Sequence, residues 1–206
     1  MSQVACYIDG FNLYHAIDRL ERPELKWLNL RTLATSYLEK KDSLVGVSYF
    51  TAISTWDRAK IQRHREYIAA LEASGVEVVE SRFMKGSRYC KAYDRWCEFN
   101  EEKQTDVGFA VRVMRDAYSG TVNRIILITA DSDHIPLVSH VRERFPLINV
   151  EIAAPPGRMR HARELCATAT RFHEVTPGRL RTCLLPRNVT NDEGRIVARC
   201  PARYIP

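Results

Sequence analysis

VACYIDGFN, residues 4–12, is an apolar run that stops abruptly at Asp9. A second run of the same kind, IILITADSD at residues 125–133, stops at Asp131. Apolar runs without polar alternation are typical of strands that are buried on both faces of a sheet. Parallel sheets place their functional sites just beyond the carboxyl ends of their strands. The residues that follow these two runs are therefore the first place to look for chemistry.

Strand-like and helical segments alternate along the rest of the chain. Strands are predicted over residues 4–8, 44–53, 76–83, 124–129 and 148–153, and helices around 13–20, 30–38, 55–74, 105–114, 135–141 and 161–172. Asn29 and Thr105 are predicted helix caps, and Gly75 is a predicted helix stop. This alternation implies right-handed crossovers. We predict an α/β fold: a three-layer α/β/α sandwich around a mainly parallel sheet of about five strands.

Two regions depart from the alternation. Residues 84–104 form a charged, aromatic-rich insertion with weak periodicity, and residues 176–206 form a basic C-terminal extension. Within the extension, short strands at 184–186 and 195–198 are predicted to form a hairpin that turns at 191–194. We predict one domain over residues 1–175, including the insertion, followed by the extension.

Carboxylates gather at the predicted carboxyl edge of the sheet. Asp9, Asp131 and Asp133 follow two parallel strands, and Asp106 begins a helix that leads to the same edge. Like charges at short range raise one another's pKa, so a cluster of anions needs a counter-charge. Hard oxygen ligands select Mg²⁺ or Mn²⁺. The competing interpretation is that Asp106 and Asp133 only cap helices and that Asp9 lies in a turn.

The segments DGFNL (9–13), EKQTDV (102–107) and TADSD (129–133) resemble the three motifs of the NYN domain, the LabA-like branch of the PIN-like nuclease fold. Their order and spacing are similar over roughly residues 3–155. The resemblance implies a Mg²⁺- or Mn²⁺-dependent ribonuclease in which Asp9, Asp106, Asp131 and Asp133 form the metal-binding and catalytic cluster. Asn12 is expected to orient the site or contact the substrate.

Candidate substrate-binding residues lie in the insertion and after the fifth strand. They are Arg88, Lys91, Tyr93, Arg95 and Trp96 in the insertion, and Arg158 and Arg160 beyond the strand. Cations for phosphate and rings for unstacked bases are what single-stranded RNA requires. The alternative is an ordinary flap whose rings pack on the body of the protein.

Composition sets the broad class of protein. The 206 residues carry a formal charge of +6, and the segment from Pro155 onward holds ten arginines against four acidic residues. Cys6, Cys166 and Cys183 lie in apolar stretches and are predicted to be reduced core residues, whereas Cys90 and Cys97 lack the spacing of a zinc site. With no apolar run long enough to span a bilayer and no signal peptide, the chain is predicted to be cytoplasmic, without a membrane partner. A homodimer is left open.

Two other functions compete with the nuclease. Proteins that resemble this family have been assigned to NADH-dependent hydroxylation of 6-hydroxy-3-succinoylpyridine in bacterial nicotine degradation, which would make the substrate a small aromatic acid. The sequence has no G-x-G-x-x-G loop for a nicotinamide or flavin cofactor. The third interpretation is a non-catalytic, RNA-binding regulatory module that keeps the acidic edge.

Overall fold

The computed structural model describes residues 1–205. Its central sheet has seven strands: β1 (Ser2–Asp9), β2 (Asp42–Ala52), β3 (Glu77–Cys90), β4 (Arg95–Lys103), β5 (Arg124–Ile128), β6 (Asn149–Ala154) and β7 (Arg171–Glu174). Their spatial order is β4-β3-β2-β1-β5-β6-β7, and every pairing is parallel except that of β3 with β4. The helices are α1 (Gly10–Asp18), α2 (Leu30–Thr35), α3 (Arg58–Ala73), α4 (Thr105–Tyr118), α5 (Ile135–Arg144), α6 (Arg163–Thr168) and α7 (Pro177–Arg181).

Two apolar layers, one on each face of the sheet, confirm the three-layer α/β/α sandwich. On one face, Val4, Cys6 and Ile8 of β1 pack in a cluster with side chains of α1, α2, α3 and α7. On the other face, Ala5 and Tyr7 pack in a cluster with side chains of α4, α5 and α6. The alternate residues of β1 thus face opposite layers, because successive side chains of a strand point to opposite sides. This explains why the run at 4–8 is apolar throughout.

All five predicted strands are present, but the sheet has two more. β4 lies within the predicted insertion, and β7 lies where the end of the 161–172 helix was predicted; that helix, α6, covers only Arg163–Thr168. Both extra strands are edge strands rich in polar residues, so their sequences lack the apolar signal of a buried strand. The predicted cap at Asn29 is confirmed, since its side chain accepts from the backbone N–H of Thr32. Thr105 is instead the first residue of α4, after Gln104.

The predicted insertion forms a two-stranded arm. β3 pairs with β2 only from Glu77 to Ser81 and then continues, paired with β4, to Cys90. Nine residues at roughly 3.3 Å each carry the arm on the order of 30 Å beyond the carboxyl edge of the sheet. The side chains of Tyr93 and Trp96 near its tip are 70% and 69% exposed. The alternative in which these rings pack on the body is therefore wrong.

The C-terminal extension packs back on the body. Its hairpin, β8 (Asn188–Thr190) with β9 (Ile196–Arg199), turns where predicted, although β8 lies after the predicted 184–186 strand. Val189, Ala198 and Leu185 form a small core with Trp27 and Ala70. No helix in the described chain has the length and apolar character needed to cross a membrane. Cys6, Cys166 and Cys183 are free thiols buried in the fold, as predicted.

A buried ionic network closes the opposite, amino end of the sheet. Arg124, only 6% exposed, donates to both carboxylate oxygens of Glu151 at 2.8 and 2.9 Å and to the carbonyl oxygen of Tyr37 at 3.1 Å. It also pairs with Asp42, and His173 contacts Glu151 at 3.0 Å. Since an unpaired charge is costly to bury, these groups depend on one another.

Candidate active site at the carboxyl edge of the sheet

Asp9 ends β1 and caps α1. Its Oδ1 accepts from the backbone N–H of Asn12 at 2.9 Å, and its Oδ2 accepts from the hydroxyl of Thr129 at 3.0 Å. The residue is only 8% exposed. A β-strand that runs directly into a helix presents the last strand residue at the helix N-terminus, where a carboxylate is favoured. The competing interpretation placed Asp9 in a turn; it instead caps α1, and this capping is compatible with a functional role.

Thr129, which the sequence analysis did not select, connects the two strand-end aspartates. Besides donating to Asp9, its hydroxyl accepts from the backbone N–H of Asp131 at 3.1 Å. Ile8 lies opposite Ile128 in the parallel pairing of β1 with β5, so the residues that follow, Asp9 and Thr129, emerge side by side. Thr129 is completely buried and has no contact with solvent. The only sequence signal for it was its place between a buried strand and Asp131.

Asn12 ties helix α1 to the loop after β5. Its side-chain Oδ1 accepts from the backbone N–H of Ala130 at 3.0 Å, while its own backbone N–H caps the helix onto Asp9. This geometry corresponds to the orienting role that was one of the two expectations for Asn12. Its amide side chain also lines the cavity described next.

A cavity of about 320 Å³ opens at this edge. Acidic side chains from three parts of the chain line it, together with two arginines: Asp9, Glu102, Asp106, Asp131, Arg19 and Arg158. We call it the acidic cavity. Its remaining walls come from Phe11, Asn12, His15, Ala16 and Thr105.

The acidic cavity contains three of the four predicted aspartates. Asp133 is exposed and lies outside the lining; its backbone N–H donates to Oδ1 of Asp131 at 3.1 Å, which makes Asp131 the cap of the short turn Ser132–His134. Glu102 lines the acidic cavity but was not among the predicted site residues, although it belongs to the EKQTDV segment. It accepts a hydrogen bond from Thr105 at the start of α4.

The electrostatics of the cavity reflect buried like charges. Burial raises the pKa of Asp9, and the neighbouring carboxylate of Asp106 adds to that rise, against the hydrogen bonds from Asn12 and Thr129. Burial also raises the pKa of Glu102, with further contributions from Asp9 and Asp106. Each group therefore disfavours the ionisation of the others, and a cation in the cavity would relieve that cost.

The buried imidazole of His134 lies behind Asp9. Its Nε2 is 4.0 Å from Oδ2 of Asp9 and has no hydrogen-bond partner within residues 1–205. The ring stacks on Phe109, with centroids 4.4 Å apart, and does not line the acidic cavity. His134 immediately precedes α5, and it supports the back of the site.

The other predicted substrate-binding residues divide between two places. Arg158 lines the acidic cavity, whereas Arg160 is exposed outside its lining. The five residues of the predicted insertion all lie on the outer half of the arm or at its tip: Arg88, Lys91, Tyr93, Arg95 and Trp96. The arm begins at the rim of the acidic cavity, since Glu102 pairs with Phe83 at its base.

A second, mostly apolar cavity of about 340 Å³ adjoins the first. It lies between α1, the end of β2 and α3, and Tyr204 of the C-terminal extension contributes to its wall. Phe11 and His15 line both cavities. We call it the aromatic cavity.

Comparison with known protein families finds a match over most of the chain. The sequence model of the NYN domain matches residues 3–176. This chain belongs to the NYN domain family. NYN domains are PIN-like nuclease domains, and the match extends beyond the 3–155 range over which the motifs had suggested it. The assignment to the LabA-like branch stays a prediction.

Two individual proteins are similar to this NYN chain. The crystal structure of a protein of unknown function from Vibrio parahaemolyticus superposes with a TM-score of 0.56 at 19% identity, over 89% of this chain and 96% of that one, which shows the shared fold. The 6-hydroxy-3-succinoylpyridine 3-monooxygenase HspA of Pseudomonas putida is 24% identical over 88% of this chain and 69% of that protein.

The donor set of the NYN site fits a hydrated magnesium or manganese ion. Within residues 1–205, no group of three or more His, Cys, Asp or Glu side chains is arranged so that it could hold a metal ion by itself. The predicted aspartates therefore line a cavity and do not meet at one point. Mg²⁺ keeps several waters and is held in proteins by one or two carboxylates together with substrate phosphates. An open wall of carboxylate oxygens suits that mode of binding.

Proposed function

We propose that this protein is a divalent-metal-dependent ribonuclease that hydrolyses phosphodiester bonds of single-stranded RNA at the acidic cavity. The observation that carries the proposal is the gathering of Asp9, Asp106 and Asp131 in one cavity at the carboxyl edge of the sheet, beside Arg158. Membership of a PIN-like nuclease family supports the same reaction class.

The carboxylates of the acidic cavity are proposed to bind the metal ion, and two neighbouring side chains to position them. One or two of the carboxylates of Asp9, Asp106 and Asp131 would bind Mg²⁺ or Mn²⁺ directly and the others through water, with Glu102 beside them. When bound, such an ion lowers the pKa of a coordinated water and neutralises charge on the phosphate. Asn12 and Thr129 act as positioning residues, because their hydrogen bonds fix Asp9 relative to the loop after β5.

Cations at the rim would bind the RNA backbone. Arg158 and Arg19 line the acidic cavity, and an arginine fork pairs well with phosphate oxygens. Asp133 lies outside the lining, so its proposed part is limited to contact through water, and Arg160 extends the basic surface.

The arm is proposed to bind the RNA strand outside the acidic cavity, next to the segment that is cleaved. Arg88 lies over the ring of Phe99 at 5.7 Å, and Arg95 lies over Tyr93 at 5.6 Å. Lys91 at the tip and the exposed ring of Trp96 complete this surface. Cations alternating with open rings are suited to binding single strands without sequence preference. Replacing Arg88 and Lys91 by Gln should weaken RNA binding and reduce its salt dependence.

The decisive experiment is cleavage of an end-labelled single-stranded RNA in Mg²⁺ or Mn²⁺. Asp131→Asn should lose at least about 100-fold in rate, since loss of even an outer-shell partner of a metal costs 10–100-fold. Asp192→Asn, an exposed aspartate in the C-terminal hairpin turn, is the matched control and should cleave like the parent. Equal cleavage by both variants would contradict the proposal.

Further assays on the same purified protein distinguish the competing functions. RNA binding without turnover in either metal would support the non-catalytic RNA-binding module. NADH oxidation coupled to a hydroxypyridine acid, with no RNA turnover, would support the small-aromatic hydroxylase. The 24% likeness to HspA does not by itself favour that activity for this chain.

A further inference from the structure

The aromatic cavity has a wall of rings that contact one another edge to face. Phe83 contacts Phe11 and Trp56 edge to face, with centroids 5.6 and 5.0 Å apart. Tyr49 and Tyr67 contact each other deeper in the cavity, with centroids 6.0 Å apart. Trp56 is 52% exposed, so much of its ring remains open to a ligand. Such a wall is built for a flat apolar group.

Polar groups occur at defined places in this otherwise apolar wall. The hydroxyl of Thr51 lies 3.1 Å from Nε2 of His64, and Ser54 is half-buried beside them. Burial lowers the pKa of His64, so its ring is neutral near pH 7 and offers hydrogen-bonding nitrogens. A ligand with polar atoms on the edge of a flat ring could be oriented by these groups.

Positive charge lies in the lining of the aromatic cavity. Lys60 and Arg63, both on α3, contribute to the wall and form no ion pair with any group in residues 1–205. Lys26, the third cation in the lining, differs because it is paired with Asp18. The free cations favour a ligand that carries negative charge outside its ring.

The position of the aromatic cavity relates it to the acidic one. Phe11 and His15 form a partition between the two, because both residues line both cavities. Gly10, at the start of α1, allows α1 to approach β2 closely: an added Cβ would lie 2.5 Å from the carbonyl oxygen of Phe50. A single ligand spanning the partition would therefore place its ring against Phe11 and its anion in the acidic cavity, where Arg19 and Arg158 could pair with it.

We propose that the aromatic cavity seats one unstacked nucleobase of the RNA, next to the phosphate that is cleaved in the acidic cavity, with Lys60 and Arg63 binding the adjacent backbone phosphate. This rests on the proposed ribonuclease function and names the nucleotide subsite of that site. The volume of about 340 Å³ lies within the usual range of small-ligand pockets, about 300–1,000 Å³. Stacking on aromatic rings tolerates any base, since every base has a flat face.

Binding of adenosine 5′-monophosphate in EDTA, followed by calorimetry, tests the subsite without the metal. Phe83→Ala should weaken binding about ten-fold, the usual worth of one base–ring contact. Phe172→Ala is the matched control, because Phe172 lies on the far edge strand β7 and is 59% exposed. Ser54→Trp, which fills the cavity from its wall, should abolish binding while thermal unfolding shows an intact fold. Unchanged binding in both Phe83→Ala and Ser54→Trp would overturn the proposal.

A second ligand distinguishes the nucleobase from a small aromatic acid. Pyridine-3-carboxylate should bind more weakly than adenosine 5′-monophosphate, because it lacks the second ring and the phosphate. If pyridine-3-carboxylate binds at least ten-fold more tightly than adenosine 5′-monophosphate, and its binding is lost in Ser54→Trp, the cavity serves a small acid and the nucleobase proposal fails.

An RNA with one abasic nucleotide tests the link to cleavage. Cutting at the single phosphate beside the missing base should fall about ten-fold, while cutting elsewhere stays the same. An unaltered pattern would count against the subsite and leave the nuclease intact. Nucleotide binding that follows the expected variants, with no RNA cleavage in any metal, would support the subsite and refute the proposed ribonuclease.

Discussion

Replacing Thr129 by Val removes one hydroxyl from the centre of the site and changes the shape of the side chain very little. That hydroxyl donates to Asp9 at 3.0 Å and accepts from the backbone N–H of Asp131 at 3.1 Å. Thr129 is fully buried, so no water takes over either bond. The variant therefore removes the hydrogen bonds that hold Asp9 and Asp131 in position and leaves both carboxylates in place.

The expected loss follows from the two bonds. A hydrogen bond to a charged group contributes about 1.5–3 kcal/mol and one between neutral groups about 0.5–1.5 kcal/mol. Together they amount to about 2–4 kcal/mol of unfolding free energy. For a chain of this length each kcal/mol shifts the melting temperature by about 2–4 °C, which gives a decrease of roughly 5–15 °C.

Thermal unfolding in EDTA measures the decrease in melting temperature of Thr129→Val, with Thr129→Ser as the matched control. Serine keeps the hydroxyl and loses one methyl group, at about 1 kcal/mol. The affinity for Mn²⁺, measured by calorimetry, should fall at least about ten-fold in the valine variant and much less in the serine variant. If valine and serine melt at the same temperature and bind Mn²⁺ equally, Thr129 does not position the aspartates as argued.

Three further outcomes are expected. Gly10→Ala should lower the free energy of unfolding by about 3 kcal/mol or more in a urea titration, because the new Cβ would lie 2.5 Å from the carbonyl oxygen of Phe50; Gly108→Ala, whose Cβ meets nothing within 4 Å, should instead gain about 0.5–1 kcal/mol. Arg124→Met should cost about 3–5 kcal/mol, because Glu151, 1% exposed, and Asp42 both lose the arginine that neutralises them. Combining it with Glu151→Leu should recover part of that loss, since only Asp42 then lacks its arginine; a double variant no more stable than Arg124→Met would contradict this reasoning. Burial raises the pKa of Glu151, but the hydrogen bonds from Arg124 outweigh it and hold the pKa below the ordinary 4.5. Glu151 therefore contributes stability above that value that is lost as the pH falls through its folded pKa, and melting temperatures between pH 7 and pH 3 should decline less steeply in Glu151→Gln.

The buried strands were predictable because burial on both faces requires apolar residues at every position. A strand covered on both faces must be apolar at every position, as residues 4–8 are, and this signal is local. The edge strands β4 and β7 carry no such signal, since pairing with a neighbour forms them and solvent covers much of their surface. That is why residues 95–103 were predicted to belong to an insertion with weak periodicity, and Arg171 and Phe172 to end a helix.

Within the site, the aspartates that directly follow buried strands were easier to predict than the residues that reach the cavity from turns or from the arm. Asp9 and Asp131 follow buried strands directly, so the parallel arrangement alone brings them to one edge. Asp133 lies two residues further on, where a short turn directs it away from the cavity. Glu102 reaches the cavity from the base of the arm, and its position there depends on the antiparallel pairing of β3 with β4.

The layered fold, the edge where carboxylates gather and the three motifs of the NYN family could be predicted from residue patterns, because each depends on short runs of consecutive residues. The three-dimensional arrangement was needed to show which side chains share a cavity, that Thr129 links two aspartates, and that an aromatic cavity adjoins the acidic one. Those relations join residues more than 100 positions apart, such as Asp9 and Thr129. Their contacts depend on the register and twist of the sheet, which no local pattern specifies.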